Sequence, residues 1–404
     1  MNLNSQKKIL FLSTHNLATN PRLVKEIKLA LQHNYKVEVI CYIFRNWSYE
    51  MNNEMLQELR KRGVKFHCIE AGRKFFFQWF VAVLKEKSLR LLSKILPLKN
   101  KALANAVSRR NAGLLAAVAN ISSADWVIGH SPGALWATLY AGTRLSCKMG
   151  FDVEDYHPGE GNDAHLQKLT KQLMQQVLPK MNYVSFAAPL VVEEVKKDLN
   201  CDHKNWFTVL NYFPSEEFAL PETPLLGPLR LVWFSQNISF GRGLELFLPA
   251  VKSCKGQVEL HLYGNVDEDF KKQNLVGIDN ILLHGPVSQQ QLHRQLARYD
   301  AGLALDIPVD KNRGIAITNK LLSYLQAGLY VIATNTKGQD YFMKHFSGIG
   351  ICFDYEKNNA GNILRDVLNN IDTIRCNRKE RFEKFAVNNW DNESVCLLKS
   401  WSTL

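Results

Sequence analysis

Three stretches of the sequence place side chains that could do chemistry. In NISFGRG, Gly241 and Gly243 flank Arg242 just before an apolar helical stretch, LELFLPAVK. A guanidinium at a strand-to-helix turn, where backbone amides and the helix dipole already favour negative charge, can clamp a phosphate; a solvated turn arginine is the plainer reading. No complete G-x-G-x-x-G accompanies it, which argues against a nicotinamide or flavin fingerprint. In the second stretch, Thr318 has the character of a helix N-cap, with Asn319 and Lys320 in the first turn. A cation there opposes the helix dipole, so Lys320 becomes intelligible if an anion docks at that end, and otherwise points to water. The third stretch, DVEDYHPGEGND, crowds Asp152, Glu154, Asp155, His157, Glu160 and Asp163 into one loop. Carboxylates so dense repel one another and gather protons, cations or sugar hydroxyls. On a regular strand Glu154 and Asp155 would face opposite sides of the sheet. A sugar- or acceptor-binding role is the expectation for this loop, ahead of a solvated acidic loop or a divalent-metal site.

These residues need a frame, and the chain's periodicity supplies one. Short apolar runs alternate with helical stretches, the pattern of parallel α/β domains. KKILFLS, KVEVICYI, VKFHCIE, DWVIGH, CKMGFDVED, YVSFAA and WFTVLNYF form a first series of strands; LRLVWFSQ, QVELHLYG, ILLHG, AGLALD, YVIAT and GICF form a second. Between the series, Pro214, Pro221, Pro224 and Pro228 interrupt any periodicity and mark a linker. The expected organisation is a Rossmann-like domain over residues 1–213, a linker over 214–228, a second Rossmann-like domain over 229–385, and a C-terminal helix over 386–404 that returns to the first domain. Doubly wound sheets present ligands at the carboxyl ends of their strands. That rule puts His15, Asn16, Asn20 and Arg22, which follow KKILFLS, and His130, which closes DWVIGH, on the ligand face of the first domain.

A chain of 404 residues, 46% hydrophobic and 22% charged, exceeds one ordinary core and excludes both a disulfide scaffold and global disorder. Its eight cysteines stand singly, with no C-x-x-C pair, which is the usage of reduced, cytoplasmic thiols. With no uninterrupted run of ~18 apolar residues, neither a secretory signal nor a spanning helix is expected. The formal charge of +12 is unevenly spread. Residues 73–110 carry Arg73, Lys74, Lys85, Lys87, Arg90, Lys94, Lys99, Lys101, Arg109 and Arg110 against Glu86 alone. Mixed with FFFQWFVAVL and LRLLSKIL, these cations suit a helix lying on an anionic membrane surface; a basic helix packed on its own domain is the competing reading. Nucleic acid is disfavoured, because the aromatics form one block instead of alternating with the basic residues.

In order and spacing these motifs resemble the retaining glycosyltransferases of the GT-B fold, especially glycosyltransferase family 4, the glycosyl transferases group 1. THNLATNPRLVKEIKLAL, GRGLELFLPAV, and D-x-G-L-A-L followed by TNKLLSYLQAGLYVIAT carry the resemblance across nearly the whole chain. It implies an α/β chain of two Rossmann-like, doubly wound domains facing across a cleft, the first taking an acceptor and the second a nucleotide-diphosphate sugar. It implies Arg242 on the donor diphosphate, with Lys320, Gly314, Ile315, Thr318 and Asn319 as further donor contacts. Gln236 stands where members carry a second basic residue. Ala316 and Ser323 stand where many carry two glutamates, so Ser323 would offer the nucleotide ribose a hydroxyl at best. The resemblance also implies that His130 contacts the transferred sugar, that Glu154 and Asp155 act beside it, and that His15, Asn20, Arg22 and Asp152 serve the acceptor. Retention of anomeric configuration would follow without a protein nucleophile: the leaving diphosphate takes the acceptor proton while the enzyme stabilises the developing charge. No cofactor and no metal is expected. The implied activity is transfer of a sugar to a hydroxyl acceptor, lipid-linked or glycan, in bacterial surface polysaccharide assembly, by a cytoplasmic enzyme peripheral to the inner face of the membrane. The alternatives are a sugar-nucleotide epimerase or hydrolase of the same fold, and a non-catalytic relic acting as a binding partner.

Overall fold

An apolar run such as ILFL has no polar side, so as a strand it must lie in a sheet covered on both faces. The computed structural model, which describes residues 6–72, 76–201, 203–222, 226–357 and 359–402, places such runs in two all-parallel sheets. Arg73 and Lys74 of the basic segment and Pro224 of the expected linker lie outside these residues. The chain forms two units, Met1–Val209 with Cys396–Leu404, and Leu210–Val395.

The first unit carries β1 (Lys8–Ser13), β2 (Lys36–Phe44), β3 (Lys65–Ala71), β4 (Trp126–His130), β5 (Lys148–Val153), β6 (Tyr183–Phe186) and β7 (Trp206–Thr208), in the order β3-β2-β1-β4-β5-β6-β7. Ile9, Leu10, Phe11 and Leu12 are wholly buried at its centre. From Cys396 on, the C-terminal helix Val395–Ser402 belongs here because of Trp401: its Nε1 donates to the Tyr183 hydroxyl at 2.9 Å, and its carbonyl accepts from Trp126 Nε1 at 3.1 Å.

The second unit carries β8 (Leu229–Ile238), β9 (Val258–Val266), β10 (Ile281–His284), β11 (Ala301–Ala304), β12 (Tyr330–Thr334) and β13 (Gly350–Phe353), in the order β10-β9-β8-β11-β12-β13. Strand alternation gives it two cores: Leu231 and Trp233 of β8 pack with Phe247 on one face, and Val232 packs with Tyr263 and Tyr324 on the other. The chain enters this unit ahead of the proline-rich stretch. Tyr212 is buried in its core, and the Phe213 backbone exchanges two 2.9 Å hydrogen bonds with the Gln326 amide. Residues 214–228 accordingly fall within the second unit.

In both sheets the strand order reverses once, between β1 and β4 and between β8 and β11. At such a switch point the flanking connections leave in opposite directions and open a crevice beyond the strand ends.

Candidate functional site

In the first unit, Ser13 ends β1 beside His130, which ends β4. Above them lies a cavity of about 280 Å³ lined by Thr14, His15, Arg110, Ser131, Glu154 and Asp155, among others. Its floor is strained: Ser131 sits at φ 71°, ψ 149°, a region nearly reserved for glycine and costing ~1–3 kcal/mol. Thr14 holds it there, its hydroxyl 2.6 Å from Ser131 Oγ. Next to it Gly133 is required by space, since a Cβ would come within 2.8 Å of both Ser108 and Thr14 side chains. Arg110, counted in sequence only as part of the basic segment, donates to the Thr14 carbonyl at 3.1 Å and stacks on Phe44.

Glu154 and Asp155 both line this cavity, contrary to strand alternation, because β5 stops at Val153 and the pleat does not reach them. His15 is half-buried, and burial holds its pKa below the ordinary value. His157 is pulled the other way: burial opposes its charge, but Glu160, 2.7 Å from its Nδ1, outweighs that and raises its pKa.

Beneath the cavity lies a buried group of charges. Arg22 bridges Glu26 and Asp152, at 3.2 Å from each, and donates to the Val209 carbonyl at 2.9 Å. Asp152 also accepts from Ser185 Oγ at 2.5 Å. Both Arg22 and Asp152 are almost wholly buried, so neither can touch an acceptor, and their expected acceptor roles are withdrawn in favour of a structural one. Asn20 is withdrawn too: it is the N-cap of helix Pro21–Gln32, its side chain accepting from the Leu23 amide at 2.9 Å. His130 is likewise enclosed, with no exposed surface, so it does not contact a sugar directly. Burial disfavours its charge, yet Glu26, a 3.3 Å contact to Glu154 and the nearby Asp152 raise its pKa to about 10. Burial raises Asp152 to about 6 against the pull of Arg22. Glu154 ends below the ordinary carboxylate range, because its bond to His130 and that charge outweigh burial.

In the second unit the switch point lies beyond β8 and β11. The β8 ladder shifts register between Phe234 and Asn237, which leaves Gln236 exposed on a bulge. Gly241 and Gly243 take φ 74° and 80°, and Gly243 packs so closely on Leu305 that a Cβ there would lie 3.1 Å from the Leu305 Cβ. The Gly241 amide donates to the Glu245 carboxylate. Arg242, between them, is half-buried. Thr318 caps helix Asn319–Gln326, accepting from the Leu321 amide at 3.3 Å, and Asn319 accepts from Asn211 Nδ2 at 2.9 Å.

Lys320 lies 5.5 Å over the Trp233 ring. Burial pushes its pKa down to about 8 despite the pull of Asp306, and Arg242 and Arg313 press it further down. Asp306 follows β11 with its amide on Thr334 Oγ1 at 3.0 Å; burial raises its pKa while Lys320 and Arg313 oppose that. Lys320, Arg313 and Arg242 thus all act electrostatically on Asp306, a surplus of positive charge over one carboxylate that suits an anion with two or more charges. Arg313 and Asp306 escape the sequence reading; the one signal for Asp306 is an acid directly after a strand at a switch point.

Three expected donor contacts fail. Gly314 and Ile315 lie inside a short helix, Lys311–Ile315, and the Gly314 amide is already bonded to the Asp310 carbonyl at 3.2 Å. Ile315 is buried. Ser323 is wholly buried, donating to the Asn319 carbonyl at 2.9 Å and lying 3.1 Å from His293 Nε2, so it offers nothing to a ribose.

No family model matches the chain, and a search of curated proteins finds no match. Solved structures do match over nearly its whole length. TarM aligns with a TM-score of 0.64 at 13% identity, covering all of both chains. Anabaena HepE in complex with UDP aligns at 0.65 and 12% identity over 98% of this chain and 100% of that one. Sucrose-phosphate synthase from Thermosynechococcus elongatus aligns at 0.65 and 12% identity over 98% of each. The chain has the GT-B glycosyltransferase fold. In doubly wound sheets generally, ligands bind in the crevice at such switch points.

Proposed function

We propose that this GT-B chain is a retaining glycosyltransferase that moves a sugar from a nucleoside-diphosphate sugar to a hydroxyl acceptor in bacterial surface polysaccharide assembly. The observation that carries the reading is the cation-rich switch point of the second unit, where the charges of Arg242, Arg313 and Lys320 all act on Asp306. A diphosphate would relieve their mutual repulsion, and HepE is a structural neighbour solved with UDP and with UDP-glucose. As the sugar–phosphate bond breaks, negative charge grows on the leaving diphosphate, and fixed cations stabilise it without reorganisation. Proton transfer from acceptor to leaving group needs no protein base. The first-unit cavity would orient the sugar and acceptor hydroxyls through His15, Glu154 and Asp155.

The finer reading adds a cytoplasmic location at an anionic membrane and a lipid-linked acceptor. Helix Phe76–Leu92 and the turn after it expose Phe77, Leu84, Leu91 and Ile95, with Ile95 80% exposed, beside exposed Lys85, Lys87 and Lys94. Apolar area next to lysines is what reversible interfacial binding requires. Arg90 is not part of that face, since it pairs with Glu86 at 2.9 Å and donates to the Ala106 carbonyl at 2.7 Å. No helix among the described residues is long and apolar enough to cross a membrane.

Release of nucleoside diphosphate from a panel of sugar nucleotides, with and without glycan and lipid-linked acceptors, tests the activity. The proposal expects release that depends on acceptor. Equal release without acceptor would indicate an epimerase or hydrolase, and no binding of any sugar nucleotide would indicate a non-catalytic protein.

A further inference from the structure

The buried charges beneath the first-unit cavity converge on one ring. His130 Nδ1 lies 3.3 Å from Glu154 Oε1 and 3.8 Å from Asp152 Oδ2, and its Nε2 lies 3.5 Å from Glu26 Oε2. Each ring nitrogen therefore faces a carboxylate oxygen. A neutral imidazole carries one N–H and one lone pair, so whichever tautomer formed, a lone pair would oppose a carboxylate in a site closed to water. The doubly protonated ring gives both sides a donor while leaving all three carboxyl groups ionised. Charge leads to the same answer: Glu26, Asp152 and Glu154 are three carboxylates, and Arg22 alone cannot balance them.

We infer that Glu26 is a positioning residue that holds His130 as an imidazolium, and that this buried cation fixes the Glu154 carboxylate, ionised, at the wall of the cavity. Glu26 projects from helix Pro21–Gln32 one turn beyond Arg22, which orients it through Oε1 and leaves Oε2 for the ring. Glu154 is the member of the group with appreciable exposure, its side chain 27% accessible, so the arrangement ends in one carboxylate presented to the cavity. The other charged or titratable groups facing the cluster are His15 near Glu154, and Tyr183 of β6 near Glu26 and Asp152. Resting on the function proposed above, an ionised Glu154 accepts hydrogen bonds from sugar or acceptor hydroxyls and repels a carboxylate-bearing sugar.

Glu26, His130 and Asp152 also offer atoms within 4.8 Å of one another, close enough to be considered for a metal ion. The ring contradicts that use. Its two nitrogens address different carboxylates, whereas a metal takes one nitrogen, and Arg22 already stands between Glu26 and Asp152 with a positive charge.

Long-range ¹H–¹⁵N correlation of the full chain labelled at its histidine rings reads the protonation of His130 directly, with the resonance assigned by its loss in His130→Gln. The expected result is imidazolium shifts at both nitrogens, unchanged from pH 6 to 8.5, and in Glu26→Gln a ring that loses a proton within that interval. A neutral tautomer at pH 7.5 in the parent chain, or an unaltered ring in Glu26→Gln, overturns the inference; so does a stoichiometric metal in the purified protein. Should Glu26→Gln fail to fold, the parent spectrum still decides the charge of the ring, and Glu26→Asp, which withdraws the carboxylate from Nε2, decides the part of Glu26: a ring as charged across pH 6 to 8.5 as in the parent overturns it. In the transfer reaction, Glu26→Gln should lose rate as pH rises from 6 to 8.5, where its ring discharges and the parent's does not, while leaving UDP affinity unchanged. Absence of any transfer in the parent protein would sink the proposed function and leave the ring measurement standing.

Discussion

Binding of a nucleoside diphosphate at the second-unit switch point should draw protons from solution. Lys320 has a pKa near 8, held down by burial and by its neighbours Arg242 and Arg313. At pH 8 it is therefore about half protonated. A diphosphate brought alongside would raise its pKa well above that, so complex formation should take up about half a proton at pH 8 and almost none at pH 6.5. Titration calorimetry with UDP in buffers of different ionisation enthalpy measures this directly, as the slope of apparent enthalpy against buffer enthalpy. Lys320→Ala should abolish the slope, and loss of a charge-assisted contact worth ~1.5–3 kcal/mol should weaken binding roughly 10- to 150-fold. Binding without proton uptake at pH 8, or a Lys320→Ala variant of parental affinity, would refute the assignment of Lys320 to the anion site.

Other outcomes follow from the same geometry. Arg242→Ala should weaken UDP binding by a similar factor with an unchanged melting temperature, because it stands on a glycine-flanked turn outside both cores. Gly133→Ala forces a Cβ to within 2.8 Å of Thr14 and Ser108, so thermal melting should show a loss of ~1–3 kcal/mol and transfer should fall while UDP affinity holds. His130 has a pKa raised from 6.5 to about 10, so its contribution to stability is complete below pH 6.5 and is lost as pH rises through about 10. Urea midpoints measured across that range should decline, and His130→Gln should flatten the decline. Co-sedimentation with anionic vesicles should drop on replacing Lys85, Lys87 and Lys94 with glutamine or on raising salt from 0.1 M to 1 M, which shortens the screening length from ~10 Å to ~3 Å; equal recovery on neutral vesicles would remove the membrane from the account.

Most of the frame was legible in the sequence, and the site only in part. Every strand from β1 to β13 coincides with an apolar-rich run in the sequence; the central strands are buried on both faces and admit few polar residues, while edge strands such as β3 and β10 are only partly buried. The rule that doubly wound sheets bind ligands at the carboxyl ends of their strands placed Arg242, Lys320 and the 152–155 segment near ligand-facing ends, while the strand order that makes switch points came from the structure. What sequence could not show was which polar groups turn inward. Arg22 and Asn20 sit in a loop-to-helix turn that looks like a ligand face, yet one neutralises buried carboxylates and the other caps a helix. Glu26 reads as an ordinary helical glutamate until β4 and β5 bring His130 and Asp152 against it. Gly314 and Ile315 are donor contacts by resemblance, but Asp310 caps a turn of helix through them by accepting from the Arg313 amide at 2.8 Å. Ser323, placed by resemblance beside a ribose, was taken inward by His293, a partner on a distant helix.

In the proposed function, the second unit binds the diphosphate of a sugar nucleotide through Arg242, Arg313 and Lys320. Thermal unfolding against a panel of nucleotides and sugar nucleotides tests it most directly. A ligand at a hundred times its dissociation constant should stabilise the parent chain by ~2.7 kcal/mol, and the Arg242→Ala and Lys320→Ala variants should lose most of that shift at the same concentration. A panel that shifts nothing, or a ligand that stabilises parent and variants equally, would contradict the account.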